Sequence, residues 1–245
     1  MYRFYIEENQ IEQEHIEVTG ADVNHMIHVL RLEKGDWVVL CDQAGKDYVC
    51  RIADVAKESV LCHIEKVQDS GTELPGRIYL FQALPKQDKM EWIIQKAVEL
   101  GVYAVVPVKT RRCVVKLNEE AKIKKKVARW QEIARAAGKQ SDRGIIPKVY
   151  APMDFGQALS MASSMACNLL PYELAEGMEQ SRECMAKAAA SSSVGIFIGP
   201  EGGFEEEEVK QAVEAGCEII SLGKRILRTE TAGLAVLSIL IFQMQ

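Results

Sequence analysis

The sequence predicts an α/β fold with a largely parallel sheet, preceded by a small β-rich barrel. Three observations lead there. From Arg77 onward, short apolar runs alternate with stretches of helical period. Near the end of the chain, two glycine-containing loops each follow an apolar run and lead into a helix: Ile196-Phe-Ile-Gly-Pro-Glu-Gly-Gly-Phe204 and Ile219-Ile-Ser-Leu-Gly-Lys-Arg-Ile-Leu-Arg-Thr-Glu-Thr-Ala232. Two such turns suggest one shared ligand pocket at the strand ends. The first seventy residues or so read differently, as short strands with alternating polarity.

In chain order, strands are predicted at Tyr2–Ile6, Trp37–Cys41, Tyr48–Ala53 and Val60–Val67. A short helix is predicted at Ala21–Leu30, with Val23, Met26, Ile27 and Leu30 on one face. Gly35-Asp36 and Ala44-Gly45 mark turns, and the polar stretch Glu65–Gly76 is the best linker. Beyond it, strands are predicted at Ile78–Ala83, Ala104–Val108, Ile145–Tyr150, Ala166–Leu170, Val194–Ile198 and Glu218–Leu222. Helices are predicted at Asp88–Leu100, Asn118–Ala137, Asp154–Ser164, Met178–Ala190, Glu205–Ala215 and Thr231–Phe242. Asn118 and Asp154 suit N-caps, while Gly101 and Gly216 suit helix ends. Alternation of this kind gives a parallel sheet covered on both faces. The final helix is apolar nearly all round, so either the monomer buries it completely or one side meets a second subunit; the second is our expectation.

Composition excludes several classes. The longest apolar run, Ala232–Phe242, is too short to cross a bilayer, and Met1–Glu8 has no charged-then-apolar signal pattern, so a cytoplasmic protein is expected. The seven cysteines form no C-x-x-C pair and read as small buried hydrophobes kept reduced. His25 and His28 fall within one helical turn, but no acid or cysteine is spaced to complete a set of ligands, so no metal is expected.

Charge is unevenly distributed. Residues 1–72 carry seven Lys/Arg against fourteen Asp/Glu, whereas residues 109–148 carry thirteen against four. In the helix predicted there, Ile123, Val127, Trp130 and Ala134 form an inward stripe, which leaves Lys122, Lys124, Lys125, Lys126 and Arg129 facing water. A basic helix flanked by arginines suits phosphate attraction rather than base reading, although a run of lysines also occurs on an ordinary solvated face. The glycine loop at 199–203 is neither G-x-G-x-x-G nor a Walker A loop, and four glutamates, 205 to 208, follow it. Those acids complement the helix dipole and repel a phosphate, so the pocket favours a neutral or cationic ligand. In the second loop, Thr229 or Thr231 suits an N-cap, with Glu230 in the first turn, in a segment that also lines a pocket.

At these loops the chain resembles a known family. Ile198-Gly-Pro-Glu-Gly-Gly-Phe204 and Leu222-Gly-Lys-Arg-Ile-Leu-Arg-Thr-Glu-Thr-Ala232 are similar to the RsmE-type methyltransferases, bacterial enzymes that methylate N3 of a uridine in 16S ribosomal RNA. The likeness extends to Gln82-Ala-Leu-Pro-Lys86, Met90-Glu-Trp-Ile-Ile-Gln-Lys96, Glu99-Leu-Gly101, Gln140-Ser-Asp-Arg143, Asn168-Leu-Leu-Pro-Tyr-Glu173 and, near the start, Val29-Leu-Arg31. Two places depart from the family's pattern: Lys139 stands where relatives often have an acid, and the Cys41–Gly45 turn is longer than theirs. The resemblance implies a PUA-like β-barrel over residues 1–72. Over residues 73–245 it implies a SPOUT-type α/β knot, in which the C-terminal segment is threaded into a deep trefoil. It also implies a homodimer and the cofactor S-adenosylmethionine.

By the same resemblance the cofactor site comprises Leu170 and Glu173 after one strand, Gly199, Glu201 and Gly202 in the first loop, and Ser221, Leu222 and Gly223 in the second. Ile226, Leu227, Arg228, Thr231 and Ala232 complete it. Backbone groups would hold the adenine, and Glu201 would meet the amino group. RNA contacts are implied at Arg3, Arg31, Arg112, Gln140 and Arg143. Methylating uracil N3 calls for a base and for a cation near the flanking carbonyl oxygens. Glu230 is the candidate base and Arg228 the candidate cation; either residue has a second reading as a strut of the loop or an RNA contact, and Arg112 of a second subunit is an alternative cation. Two competing functions are a SPOUT methyltransferase acting on transfer RNA and a non-catalytic RNA-binding assembly factor.

Overall fold

The structure, a computed structural model, describes every residue except Lys116, Asn118 and Glu176. The chain divides into two units, residues 1–73 with 138–146, and residues 74–137 with 147–245.

Among the described residues, the N-terminal unit holds five strands: β1 (Tyr2–Tyr5), β2 (His15–Thr19), β3 (Trp37–Cys41), β4 (Lys46–Val55) and β5 (Ser59–Asp69), in the order β1-β3-β4-β5-β2. β1 runs parallel to β3, and the other pairs are antiparallel. Alternate residues point inward, so Ile16, Val18, Val38, Leu40, Ile52, Val60 and Cys62 form the core. Helix α1 (Ala21–Asn24) continues as a π turn over His25–Val29 and buries Val23 and Met26 against that core. β2 is absent from the expected strands; Ile16 and Val18 are its only inward residues, in a stretch crowded with acids. β5 reaches Asp69 because its backbone keeps pairing with β4 as far as Lys46, so the first part of the expected linker is strand.

Residues 138–146 join this unit through side chains far away in sequence. The Tyr5 hydroxyl donates to the carbonyls of Gly138 and Arg143. The Arg143 guanidinium grips Glu73 at 2.9 and 2.6 Å, and the same carboxylate accepts the Gly144 N–H at 2.8 Å. Ile145 forms an isolated bridge with Ala44. The strand expected over Ile145–Tyr150 therefore shrinks to β8 (Lys148–Val149), because its first residues are engaged elsewhere and Pro147 has no N–H to donate.

The second unit contains β6 (Arg77–Ala83), α2 (Lys89–Glu99), β7 (Ala104–Lys109), α3 (Glu120–Gln140, ending in the first unit), β8, β9 (Met153–Asp154), α4 (Phe155–Ala162), β10 (Cys167–Pro171), α5 (Met178–Ala189), β11 (Ser193–Ile198), α6 (Glu206–Glu214), β12 (Glu218–Ile220) and α7 (Thr229–Met244). The expected cap Asn118 lies outside the described residues. Its strands pair in parallel in the order β12-β10-β11-β6-β7-β8, with β9 also on β7. Alternation along β6 explains the two covered faces. Ile78 and Leu80 pack with residues of α2, α3, α5 and α7, whereas Phe81 packs with residues of α4 and α6. Phe81 stacks on Phe197 of β11 with ring centroids 4.4 Å apart.

The last helix is apolar nearly all round in sequence, and this chain buries one side of it and leaves the other open. Val236, Leu237 and Leu240 are buried, and Gly233 faces Ile198 and Leu80 of the sheet. The opposite side is open, with Ile239 43% and Phe242 85% exposed. Among the described residues, no helix is long and apolar enough to cross a membrane.

Candidate active site

Because the strands are parallel, the loops after β10, β11 and β12 leave from one edge of the sheet. There they enclose a cavity of about 710 Å³. Tyr172 and Glu173 line it from the first loop, Gly199, Glu201 and Gly203 from the second, and Ser221 to Thr229 from the third. Gly203 has φ +69°, a left-handed conformation that glycine adopts without strain, and a Cβ on it would come 3.5 Å from the Glu173 carboxylate. A buried relay fixes the second loop to the third. Gln82 at the end of β6 is fully buried, and its Nε2 donates to Thr229 Oγ1 at 2.9 Å. The Thr229 hydroxyl in turn donates to the Gly199 carbonyl at 2.6 Å. Arg228, with extended backbone, is the N-cap of α7; Thr229 and Thr231, expected in that role, lie inside the first turn.

Charge at the cavity lip is organised by Lys89, a residue of α2. Its ammonium stands 3.2 Å from both Glu201 and Glu230. Burial works to raise the Glu201 carboxyl, but the backbone N–H groups of Glu201 and Lys86, together with Lys89, outweigh it and hold the group below its ordinary range. Lys89 is raised, chiefly by its hydrogen bond to Glu230, against an opposing effect of burial and with further help from Glu201. Nearby, Glu205 caps α6 in a reciprocal box with Glu208, and the buried Glu208 carboxylate also accepts the Arg111 N–H at 2.9 Å. The four acids after the glycine loop are thus partly structural, as the helix dipole predicts.

A family described as the RNA methyltransferase domain matches residues 72–241, and one described as the RNA methyltransferase PUA domain matches residues 18–65. The ribosomal RNA small subunit methyltransferase E of Bacillus subtilis is 39% identical, over 99% of this chain and 97% of that protein. The chain belongs to the ribosomal RNA small subunit methyltransferase E family. Its fold is accordingly an α/β fold with a mostly parallel sheet and a PUA-like N-terminal domain. A family member from Neisseria gonorrhoeae, solved bound to S-adenosyl methionine, is 35% identical with a TM-score of 0.79, covering 97% of this chain and 95% of that one. A methyltransferase of Legionella pneumophila, solved with its bound cofactor SAM, is 32% identical with a TM-score of 0.79, covering 97% and 96%. The family's cofactor suits this cavity: most lining residues are apolar or glycine, Glu173 and Glu201 offer anionic groups, and Lys89, Lys224, Arg225 and Arg228 cationic ones.

Most residues expected at the cofactor line the cavity: Glu173, Gly199, Glu201, Ser221, Leu222, Gly223, Ile226, Leu227, Arg228 and Ala232. Three stand off its wall. Leu170 is buried in the core, Gly202 turns its carbonyl to Arg112 Nη1 at 2.9 Å, and Thr231 is exposed. Glu230 also lies off the wall, held by Lys89. Glu201 is already engaged by Lys86 and Lys89, which leaves Glu173 the more available carboxylate. Sequence reasoning missed Lys89 at the site and the relay through Thr229; a lone lysine at a helix start carries no motif, and the relay depends on Gln82, 147 residues away.

The residues expected at RNA behave differently from one another. Arg31, Gln140 and Arg112 are exposed. Arg3 is turned onto Asp47 at 2.7 Å with its side chain 14% exposed, and the Arg143 side chain is 3% exposed beneath its grip on Glu73. Arg143 is therefore a strut of the N-terminal unit rather than a surface cation, a distinction that composition does not carry. On α3, Lys122, Lys124 and Lys125 face water while Trp130 and Ala134 are buried, as the periodicity predicts.

Proposed function

We propose that this family member methylates N3 of one uridine in 16S ribosomal RNA, working as a homodimer in the cytoplasm. The single observation that carries the reading is the three-loop cavity, built at one sheet edge by a chain that aligns end to end with small-subunit methyltransferases E. An enzyme acting on transfer RNA or a non-catalytic assembly factor is not favoured by those relatives. When bound, S-adenosylmethionine supplies an electrophilic methyl group on its sulfonium. The loops after β10, β11 and β12 hold and orient it, with Glu173 facing its cationic side and backbone groups of Leu222 to Leu227 facing its adenine. We read the segment Leu222–Ala232 as the threaded part of a trefoil knot, which the relay from Gln82 through Thr229 to Gly199 keeps in register.

At the acceptor, N3 of uracil must lose a proton as it becomes nucleophilic. Glu230 takes that proton, and Arg228 stabilises the negative charge that spreads to the neighbouring carbonyl oxygens. Lys89 holds the Glu230 carboxylate close to the cavity lip. Contacts to RNA come from Arg31 and Gln140 in one unit and from Arg112 and the lysine face of α3, with the lysines supplying salt-sensitive attraction. The open side of α7 around Ile239 and Phe242 meets the second subunit.

Glu230→Gln tests the assignment of the base. Methyl transfer to 16S ribosomal RNA should fall roughly 100-fold or more, while calorimetry with S-adenosylmethionine gives an affinity near that of the unchanged protein. Full activity in the variant removes Glu230 as the base.

A further inference from the structure

A second cavity, of about 510 Å³, lies at the opposite edge of the parallel sheet, by the amino ends of β6 and β11. Its lining includes Arg77, Tyr79, Met161, Met165, Ser192 and Ser193, with no acidic residue among the lining residues. Tyr79, Met161 and Met165 pack on the α4 side of the sheet and form an apolar, polarisable floor. Arg77 is exposed, and its guanidinium carbon lies 4.9 Å from the centre of the Tyr103 ring. Among the described residues, Arg77 forms no ion pair, whereas six other arginines of the chain do. Tyr103 in turn sits 5.3 Å from Tyr79, so the cation rests on an aromatic pair at the cavity mouth. Ser193 Oγ accepts the Ala166 N–H, which leaves its hydroxyl hydrogen free to donate.

These features share one chemistry. A flat aromatic ring is recognised by stacking on tyrosine and methionine, and an attached anion by an arginine without a carboxylate partner and by serine hydroxyls. The volume lies within the range of small-molecule sites. We propose that this cavity binds one nucleotide, its base on the Tyr79 and Met165 floor and its phosphate at Arg77 and Ser193. The nucleotide comes either from an unpaired stretch of RNA or from the free pool. In the RNA case the site is a second anchor on the substrate, remote from the methyl-transfer cavity, and that case rests on the function proposed above.

The test uses the full-length protein, uridine 5′-monophosphate in calorimetry and a labelled uridine decamer RNA in fluorescence anisotropy. Two variants are compared: Arg77→Gln, which removes the charge at an exposed position, and Ser164→Trp, which fills the mouth from an exposed position. Both should weaken binding of the mononucleotide roughly tenfold or more, with S-adenosylmethionine affinity unchanged. A parallel loss for the decamer assigns the site to RNA, and an unchanged decamer assigns it to free nucleotides. The proposal is overturned if the unchanged protein binds no mononucleotide and its decamer affinity is the same in both variants, or if neither variant weakens either probe. Failure of S-adenosylmethionine to bind the unchanged protein would count against the proposed methyl transfer, not against this site.

Discussion

Thr229 carries more of the site than its size suggests. It receives a hydrogen bond from buried Gln82 and passes one to the Gly199 carbonyl, so two loops of the cavity take their spacing from one hydroxyl. Thr229→Val keeps the shape and removes the relay, leaving the half-buried Gly199 carbonyl without that partner, which costs about 1 kcal/mol. S-adenosylmethionine affinity should fall roughly tenfold, and Thr229→Ser should restore it. Lys89 acts through charge instead. The Glu201 carboxyl is lowered on folding, so it contributes stability above its ordinary value near 4.5 and loses it as pH falls through the folded value. Lys89 is raised, so its contribution is present below 10.5 and disappears as pH rises through the folded value. Lys89→Met should therefore lower the melting temperature modestly at neutral pH, and the gap to the unchanged protein should close in acid, as thermal melts from pH 3 to 8 will show. A constant gap would mean that the lysine acts by packing. The thiols of Cys50, Cys62 and Cys217, pushed up to about 12 by burial, take no part in this chemistry.

At the scale of elements, α7 begins as a wall of the cavity and ends as an apolar helix with one open side. Phe242 and Ile239 are large hydrophobes at the surface of a helix whose other side is packed on α2, α5 and β11. In the proposed dimer, Phe242→Glu places a charge where the partner subunit would exclude water, a loss of several kcal/mol. Sedimentation should show a dimer for the unchanged chain at micromolar concentration and a monomer for the variant; two dimers, or two monomers, would place the contact elsewhere or remove it. The long elements were legible because their periodicity is local. α2, β6, β7 and β11 lie within a residue of the expected bounds, and α3 runs three residues past its expected end. β9, with two residues, and β2, with two inward side chains, are too short to carry a period. Ile145 was placed in a strand on its apolar character alone, whereas its bridge to Ala44 spans a hundred residues and leaves no mark nearby.

On the scale of the whole molecule, charge was the least reliable guide and loop chemistry the most reliable. The glycine loops and their order on the chain identified the cavity, since parallel strands bring successive loops to one edge. The basic block, by contrast, resolves into unlike parts: Arg143 is buried on Glu73, Arg112 leans on Gly202, and the α3 lysines stand in water. Composition counts charges but not their partners, and only the exposed ones remain for RNA. The central claim is that this cavity and those surfaces act together on one base. Incubating the protein with isotope-labelled S-adenosylmethionine and small-subunit ribosomal RNA, followed by nuclease digestion and mass spectrometry, should place the label on N3 of a single uridine. Label on another base, on transfer RNA alone, or on no RNA at all would contradict it.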